Sequence, residues 1–358
     1  MGEFRHQGPT GGAHPPGQAK LPGSTGKHKA SESGGTPGSV GKHDAASKAA
    51  PPPPPQKSLV CACNRDLTHD EMVSVFPKAT EANCVAFLPM LNDSFKTYGI
   101  TTCLRKAHFL AQVGPETGDL KWMKEIGAHH GGYEGRGLLQ LTSEPNYKAY
   151  GKAVTHDFLG EHAKGVEEPK WAVDSATWFW DKYRDLSPWA DKNDLRFICC
   201  RINGGFNGYD DRHDRLAIAF DWLLVHTCKT ANIGDATYIP FEKSEVHDWR
   251  IFAFAWGLWN DASANRKGIA KPDANERKAG YQRYLDLQAA EDLKTLSKLK
   301  AEAAAKAAKA AKAAAKAHHG AAPESPATPA SDPKLPDPDL AYGYTRTKAI
   351  AKATEGVK

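Results

Sequence analysis

Long apolar runs are missing from this sequence of 358 residues. No stretch reaches 18 consecutive apolar residues, so the sequence predicts no membrane-spanning helix. Met1 to Gly12 is polar throughout and lacks the charged-then-apolar pattern of a signal peptide. We therefore expect synthesis in the cytoplasm without export through an ordinary cleaved signal.

Large apolar side chains are scarce at both ends of the chain. Residues 1–57 consist mainly of Gly, Pro, Ser, Lys and His, and residues 319–358 are punctuated by prolines. Such segments bury too little surface to offset the entropy of ordering them, so both are predicted to be disordered tails. Residues 289–318 are rich in Ala and Lys without an apolar seam, which predicts a solvated helical spacer.

A large excess of one charge is also absent, because the net charge is +5 and much of the lysine excess lies in the tails. The basic residues are not interleaved with base-stacking aromatics, which argues against nucleic-acid binding. Solvated tails explain the charge best, and attraction to anionic polymers of the bacterial envelope is the alternative.

The seven cysteines follow no familiar framework. Their odd number, with a Cys-x-Cys pair and a vicinal pair, is typical of neither a zinc framework nor a catalytic thiol. We expect small buried apolar residues, with one or two disulfides as the alternative. The cysteines are Cys61, Cys63, Cys84, Cys103, Cys199, Cys200 and Cys228.

The folded body is predicted to span residues 58–288, which contain all nine tryptophans. Apolar residues recur there at three- and four-residue spacing, which predicts a mainly α fold. The predicted helices begin near Thr68, Cys84, Cys103, Asn146, Asp174, Asp194, Arg212, Trp249 and Asn275. Strands are scarce, and Gly135 to Thr142 is the best candidate for a short one.

Two carboxylates flank a predicted chain reversal. Glu116 ends an apolar helix beside Gly118, and Glu125 follows nine residues later. On one continuous helix the two acids would lie about 13.5 Å apart along the axis and on opposite faces, so they can cooperate only if the chain turns. Such a pair suits glycosidic cleavage, in which one acid protonates the leaving oxygen and the other activates a water. Glu134 is the rival for the second role.

Polar side chains that could bind a sugar follow the acids. Gln140 and Thr142 would point to the same side of a strand, and Asn203 lies in a glycine-rich loop where it could bind an N-acetyl group. His129 and His130 have no partner cluster at metal-ligand spacing, so we expect neither a metal nor another cofactor. Asp210 to Asp214 is best explained as the start of a helix rather than a calcium loop.

Three segments, AHFLAQVGPETG, YEGRGLLQLTSEPNY and RINGGFNGYDDRHDRL, resemble motifs of glycoside hydrolase family 19 in the same order. The resemblance covers residues 67–228 and leaves 229–288 as a helical extension. It implies a lysozyme-like bilobal helical domain with a small β element. Pro115 stands where the family has a histidine, and Asp119 where it has a second glycine. The roles implied are general acid for Glu116, second carboxylate for Glu125, supporting arginine for Arg215, and positioning of substrate or water for Tyr133, Glu134, Gln140, Thr142, Asn146 and Asn203.

The short segment between the two acids resembles the peptidoglycan-cleaving branch of that family. We therefore expect a monomeric, muramidase-like hydrolase that inverts the anomeric centre of peptidoglycan glycan strands. We expect it to act in the periplasm as an antibacterial effector, for which a type VI secretion apparatus and a periplasmic immunity protein are the expected partners. A chitinase, a phage-type endolysin and a non-catalytic wall-binding module are the alternatives.

Overall fold

The computed structural model describes residues 54–127, 130–231, 233, 238–264, 271–317, 335–339 and 341–358. Most of the predicted N-terminal tail, His129 and residues 318–334 lie outside this part of the chain. The described residues are mainly helical, which confirms the predicted fold class. The α-helices are α1 (His69–Val75), α2 (Glu81–Thr97), α3 (Cys103–Thr117), α4 (Glu144–Val154), α5 (Pro169–Trp178), α6 (Ser187–Asp191), α7 (Leu195–Asn203), α8 (Tyr209–Trp222), α9 (Arg250–Trp259), α10 (Ala274–Ala317) and α11 (Arg346–Gly356).

Shorter helical turns connect these helices. A π-helical turn, Phe179–Tyr183, continues α5, and 3₁₀ turns occupy Gly160–Glu167, Phe241–Lys243, Glu245–Asp248, Ala262–Ala264 and Ala341–Gly343. In the described part of the chain, β pairing is limited to the isolated bridges Lys124–Arg136, Arg136–Leu141 and Asp339–Thr345. None of the described helices is both long and apolar enough to cross a membrane.

Side-chain caps fix where several helices begin. Thr68 accepts from the backbone N–H of Glu71, whose carboxylate accepts from the N–H of Thr68, so the predicted capping box is present. Thr102 caps α3 through the N–H of Arg105. Asp194 caps α7 through the N–H of Phe197, as the predicted helix start at Asp194 requires.

Helix α3 forms the centre of the molecule. It packs along α8, and α1 and α6 also contact it. The ring of Phe109 lies edge-on to Phe95 of α2 at 5.2 Å between centroids, and 5.4 Å from Trp180. Burial of almost every α3 residue explains why its apolar pattern was so clear in the sequence.

The predicted helix start at Asp174 is wrong, because this residue lies inside α5. Its carboxylate accepts from the hydroxyls of Tyr98 at 3.0 Å and Tyr150 at 2.6 Å. Asp174 is therefore an acceptor for two tyrosines from neighbouring helices. The helix instead begins at Pro169, where the fixed φ of proline suits the first turn.

Two glycines bring α9 and α10 close together. A Cβ atom on Gly280 would lie 2.5 Å from the backbone nitrogen of Gly257 and 3.0 Å from the carbonyl of Ala253. The helices can therefore cross this closely only without side chains at both positions. This contact forms the core of the region after residue 229, together with the buried rings of Tyr281 and Tyr284.

The predicted C-terminal tail is wrong for residues 346–356, which form α11 and pack on α9 and α10. Ala349 and Ala353 are fully buried in this contact. Asp292 binds Arg346, and the 1% exposed Asp261 accepts from Lys352 at 2.9 Å. Small buried alanines and these ion pairs hold a segment whose composition alone is typical of a tail. Helix α10 itself runs without interruption into the predicted spacer.

Candidate active site

Glu116 lies in the last turn of the central helix α3. The helix ends at Thr117, and Gly118 follows with φ of 57° and ψ of 47°, the left-handed conformation that glycine adopts most readily. The side chain of Glu116 is 16% exposed, so a rigid and largely buried helix presents this carboxylate at its end. Glu116 is therefore partly buried at a helix end, as the sequence predicts.

A buried arginine of α8, which no sequence motif singles out, holds Glu116. Arg212 is 3% exposed and donates to Glu116 Oε1 at 2.6 Å and to Gln112 Oε1 at 2.9 Å. Burial alone would lower the pKa of Arg212, but the neighbouring Glu116 raises it above its ordinary value. The guanidinium therefore fixes the carboxylate against the helix with a charge-assisted hydrogen bond.

Arg215 supports the chain reversal rather than the acid. It binds Asp119, which is fully buried, and donates to Asp211 Oδ1 at 3.0 Å. The other carboxylate oxygen of Asp119 accepts from the N–H of Lys78 at 3.1 Å. Asp119 is thus a fixed anchor for the turn, which gives the departure from the family's glycine a structural role. Arg212 and Arg215 are three residues apart and share one face of α8.

The chain reverses immediately after Gly118, as predicted. Asp119 and Leu120 also have positive φ values of 63° and 60°, and the N–H groups of Lys121 and Trp122 both donate to the carbonyl of Thr117. The indole of Trp122 then lies against Gly118, where a Cβ atom would be 3.0 Å from Trp122 Cδ1. Trp122 is 45% exposed beside Gly118, although no motif in the sequence marks it.

The residues after the reversal line an open groove of about 520 Å³. It brings together Glu125 and Glu134, which the sequence predicted, and Glu167, which it did not. Glu116 does not line the groove. Trp122 links the end of α3 to the groove, because it contacts Gly118 and is also one of the lining residues. The lining residues are Trp122, Met123, Lys124, Glu125, Ile126, Gly127, Glu134 and Glu167.

Glu125 is tied to the opposite side of the loop by its backbone. Its N–H donates to the carbonyl of Gly135 at 2.8 Å, and its Oε2 accepts from the N–H of Gly135 at 3.3 Å and lies 3.5 Å from His130 Nε2. Its Oε1 is buried and has no hydrogen-bond partner among the described residues. A buried carboxylate oxygen with unused acceptor capacity can bind a water or a sugar hydroxyl.

Glu134 is held in an ion-pair network. Its Oε2 accepts from Arg136 Nη2 at 2.8 Å, and Lys124 Nζ lies 3.8 Å away. Burial would raise the pKa of Glu134, but its own backbone amide and the charge of Arg136 hold it below its ordinary value. Arg136 also binds Glu167 at 2.8 Å. This carboxylate therefore already has strong partners, unlike that of Glu125.

The predicted strand from Gly135 to Thr142 is wrong, because the segment is a tight loop closed by the bridge between Arg136 and Leu141. Gly137 with φ of 78° and Gln140 with φ of 50° both leave the extended conformation. A Cβ atom on Gly135 would still lie 2.9 Å from Gln140 Oε1 and 3.1 Å from Thr142 Oγ1. The two side chains therefore lie beside the same glycine that Glu125 contacts.

Asn146 and Tyr133 use their polar atoms within the protein. Asn146 donates to the carbonyl of Thr142 at 2.8 Å and accepts from the hydroxyl of Tyr183 at 2.8 Å. The hydroxyl of Tyr133 accepts from the N–H of Gly160 at 3.0 Å. These contacts fix the loop that carries Gln140 and Thr142, so both residues support the groove by positioning.

Asn203 lies apart from the groove residues in its described contacts. It ends α7 and donates weakly to Cys199 Sγ at 3.9 Å. The C-terminal residue Tyr342 covers the adjoining loop, because its hydroxyl donates to the carbonyl of Gly204 and its ring lies about 3.0 Å from a Cβ position on Gly205. The predicted contact of Asn203 with an N-acetyl group stays a prediction.

Parts of the chain are similar to known proteins. No protein-family model matches the chain. A glycosyl hydrolase family 19 domain-containing protein of Haemophilus influenzae is 38% identical over 80 residues, which are 22% of this chain and 37% of that protein. Endochitinase CHI of Arabidopsis thaliana is 29% identical over 109 residues, covering 25% of this chain and 39% of the relative. The chain is similar to these family 19 and endochitinase proteins over at most 25% of its length.

Other proteins similar to this chain are chitinases. The acidic endochitinase of Petunia hybrida is 32% identical over 71 residues, which are 20% of this chain and 28% of the relative. This chain spans at most about two fifths of the length of these three curated relatives. Among solved structures, chitinase C of Streptomyces griseus has 21% identity and a TM-score of 0.40, with 48% of this chain and 79% of that chain covered. The class IV chitinase of Zea mays has 19% identity and a TM-score of 0.38, with 44% and 92% covered.

Proposed function

We propose that the chain is a glycoside hydrolase that cleaves the β-1,4 glycan backbone of peptidoglycan. The arrangement around Gly118 carries the proposal: Glu116 precedes a fixed chain reversal, and the exposed ring of Trp122 packs on that reversal while lining the groove that holds Glu125. A carboxylate on each side of a sugar-binding surface is the requirement of glycosidic cleavage by paired acids.

Glu116 is the general acid in this mechanism. Arg212 donates to one of its oxygens and sets the direction of the carboxylate. The second oxygen carries the proton to the leaving glycosidic oxygen, and Arg212 then stabilises the carboxylate that remains. Asp119 and Arg215 hold the turn so that the direction of Glu116 is kept.

Glu125 is the second carboxylate, and it activates the attacking water through Oε1. We prefer it to Glu134 because Oε1 of Glu125 is buried without a protein partner, whereas Glu134 is engaged by Arg136 and Lys124. Gln140 and Thr142 lie beside Gly135 and can orient that water or a sugar hydroxyl. Attack by water on the face opposite the leaving group inverts the anomeric centre.

The substrate distinguishes two versions of this proposal. The short segment between the acids resembles the peptidoglycan-cleaving branch of the family, whereas two of the curated relatives are endochitinases, which favours chitin. Purified sacculi and chitin oligomers would be digested side by side with the wild type and with Glu116→Gln. We expect soluble muropeptides from sacculi only, and none with the variant.

Each result of that digestion decides one point. The sugar at the reducing end of the muropeptides, identified by mass spectrometry, names the bond that is cut. Products from chitin oligomers alone would make the chain a chitinase. Cosedimentation with sacculi without soluble products from the wild type would make it a wall-binding module and overturn the proposed activity.

The place of action is a separate part of the proposal. We propose that the chain acts as an antibacterial effector at the cell wall, delivered by a secretion apparatus and countered by an immunity protein. Expression in a bacterial host with an added periplasmic signal should cause lysis, whereas expression without it should not. Glu116→Gln carrying the same signal is the control. Lysis without the added signal would instead favour a protein that leaves the cytoplasm by another route, such as an endolysin.

A further inference from the structure

Four of the seven cysteines come together from three distant parts of the chain. Cys61 and Cys63 precede α1, Cys103 is the first residue of α3, and Cys228 follows α8. Their sulfur atoms all lie within 4.8 Å of one another, and we call this group the four-cysteine cluster. The sequence pattern predicts isolated buried thiols or disulfides and argues against a zinc framework.

The sulfur spacing suits a metal better than covalent pairing. The distances from Cys228 Sγ are 3.3 Å to Cys61 Sγ and 3.5 Å to Cys63 Sγ, and all four cysteines are free thiols. A disulfide requires about 2.05 Å between sulfurs. Four thiolates at roughly 2.3 Å from a tetrahedral Zn²⁺ would be roughly 3.8 Å apart, which is close to the spacing here.

The backbone around the cluster is built to hold it. Ala62, between the first two cysteines, is fully buried and its N–H donates to the carbonyl of Leu223 at 3.0 Å. The N–H of Asn64 donates to the carbonyl of Thr101 at 2.8 Å. These bonds fasten the Cys-x-Cys segment to the end of α8, five residues before Cys228, and to the residue just before the cap of α3, whose first residue is Cys103.

A backbone donor at the start of α3 points at one of the sulfur atoms. The N–H of Cys103, in the first turn of α3, donates to Cys63 Sγ at 3.1 Å. The positive end of that helix therefore faces the cluster.

A buried cation beside the cluster has no carboxylate partner among the described residues. Lys106 is 3% exposed, and its ammonium group donates to the carbonyls of Ala62 and Arg65. Arg65 is neutralised by the buried Glu71. A buried charge is costly unless an opposite charge lies nearby, and a zinc ion with four thiolates carries a net charge of about −2. The positive charge of Lys106 would be balanced by such a complex.

We propose that the four-cysteine cluster binds one structural Zn²⁺ ion. Each thiol that is still protonated loses its proton to solvent as its bond to zinc forms, with no change in oxidation state. The ion joins the segment before α1, the end of α8 and the first turn of α3. Cys103 and Glu116 are 13 residues apart on α3, so the ion lies about 20 Å from the proposed acid. The site is thus structural and independent of the proposed hydrolysis.

Metal content of the full chain, purified without reductant or chelator, tests the proposal. We expect about one equivalent of zinc per chain, because a closed site with four ligands binds one ion. Cys63→Ala should lower that content at least about tenfold. Cys84→Ala is the matched control, because Cys84 is fully buried in α2 outside the cluster and its loss should leave the zinc content unchanged.

Two further measurements on the wild type do not depend on the folding of the variants. Reconstitution with Co²⁺ should give the absorption bands of a tetrahedral thiolate complex. Thiol titration after unfolding with a chelator should detect all seven cysteines. Two disulfides in the cluster would leave only the three reactive thiols outside it. Any disulfide among the four cysteines, or seven thiols without bound metal, would overturn the proposal.

Discussion

The carboxylates of the two halves of the site are held by different means. Glu116 belongs to a buried helix and is fixed by Arg212 from a second helix. Glu125 and Glu134 belong to a loop that isolated bridges and ion pairs hold together. We call Glu116 on α3 the helix-held half of the site, and the loop with Glu125 and Glu134 the loop-held half. The helix-held half therefore keeps one geometry, whereas the loop-held half can change its length and partners without disturbing the core. In the proposed mechanism, α3 supplies the general acid and the loop lines the groove that would bind the substrate.

The largest expected effect is in the helix-held half. Glu116→Gln should lower kcat on sacculi by at least about 10³-fold, because the proposed general acid is lost. The fold should survive, since the amide oxygen can still accept from Arg212, although the free energy of unfolding should fall by about 1–2 kcal/mol. Steady-state rates and urea unfolding measure the two effects. Glu144→Gln, at an exposed position in the first turn of α4, is the control and should alter neither.

The next effect separates the two acids of the loop-held half. Glu125→Gln should lower kcat about 100-fold, as loss of a general base does. Glu134→Gln should lower kcat less than about threefold but reduce the melting temperature, because Arg136 loses its charge-assisted partner. Parallel rate and melting measurements would compare the variants. A larger loss of kcat in Glu134→Gln than in Glu125→Gln would exchange the two roles.

A pH effect on stability should come from the helix-held half. His108 of α3 is fully buried, and burial lowers its pKa to about 4 from an ordinary value of 6.5. As the pH falls below 6.5 the unfolded state binds a proton that the folded state does not, so stability decreases until the pH reaches about 4. This histidine should cost about 2 kcal/mol between roughly pH 7.5 and pH 5.

The variant His108→Gln tests whether His108 causes the pH effect, because an amide can keep the hydrogen bond to Asn193 without titrating. Urea unfolding at both pH values should show a smaller loss of stability in this variant than in the wild type. His162→Gln, at a 69% exposed side chain, should behave as the wild type. Equal losses in all three proteins would show that His108 is not responsible.

The smallest effect should arise where the two halves meet. Trp122→Ala should raise KM for glycan strands about tenfold with little change in kcat, because the ring offers binding surface and no proton. Trp249→Ala changes a similarly exposed tryptophan, 38% against 45%, that does not line the groove and serves as the control. A fall in kcat without a change in KM would mean that Trp122 acts by positioning Glu116.

Local signals in the sequence were sufficient to predict the helix-held half. The apolar period of α3 and the glycine after Thr117 predicted both the helix and its end, and Gly118 with Asp119 predicted the reversal. Arg212 was missed because its role depends on the packing of α8 against α3, which has no local signature. The family motif instead directed attention to Arg215, which anchors Asp119.

Non-local contacts determine what the sequence could not predict. Alternating residues suggested a strand at 135–142, but Gly137 packs against the backbone of Ala172, and the chain turns there. The four cysteines are up to 167 residues apart, so only the fold brings them together. Composition made residues 346–356 look like a tail, whereas burial of two alanines turns them into a packed helix.

Helix α11 is attached to α9 and α10, where Arg346 binds Asp292, and Lys352 binds Asp261 after α9. A protease that cuts between Ala317 and Lys334 would sever the chain but leave the terminal fragment bound through Arg346 and Lys352. The nicked protein would migrate as one particle on a sizing column and as two bands after denaturation. The C-terminal fragment would therefore stay in the folded protein without a covalent link to the rest of the chain.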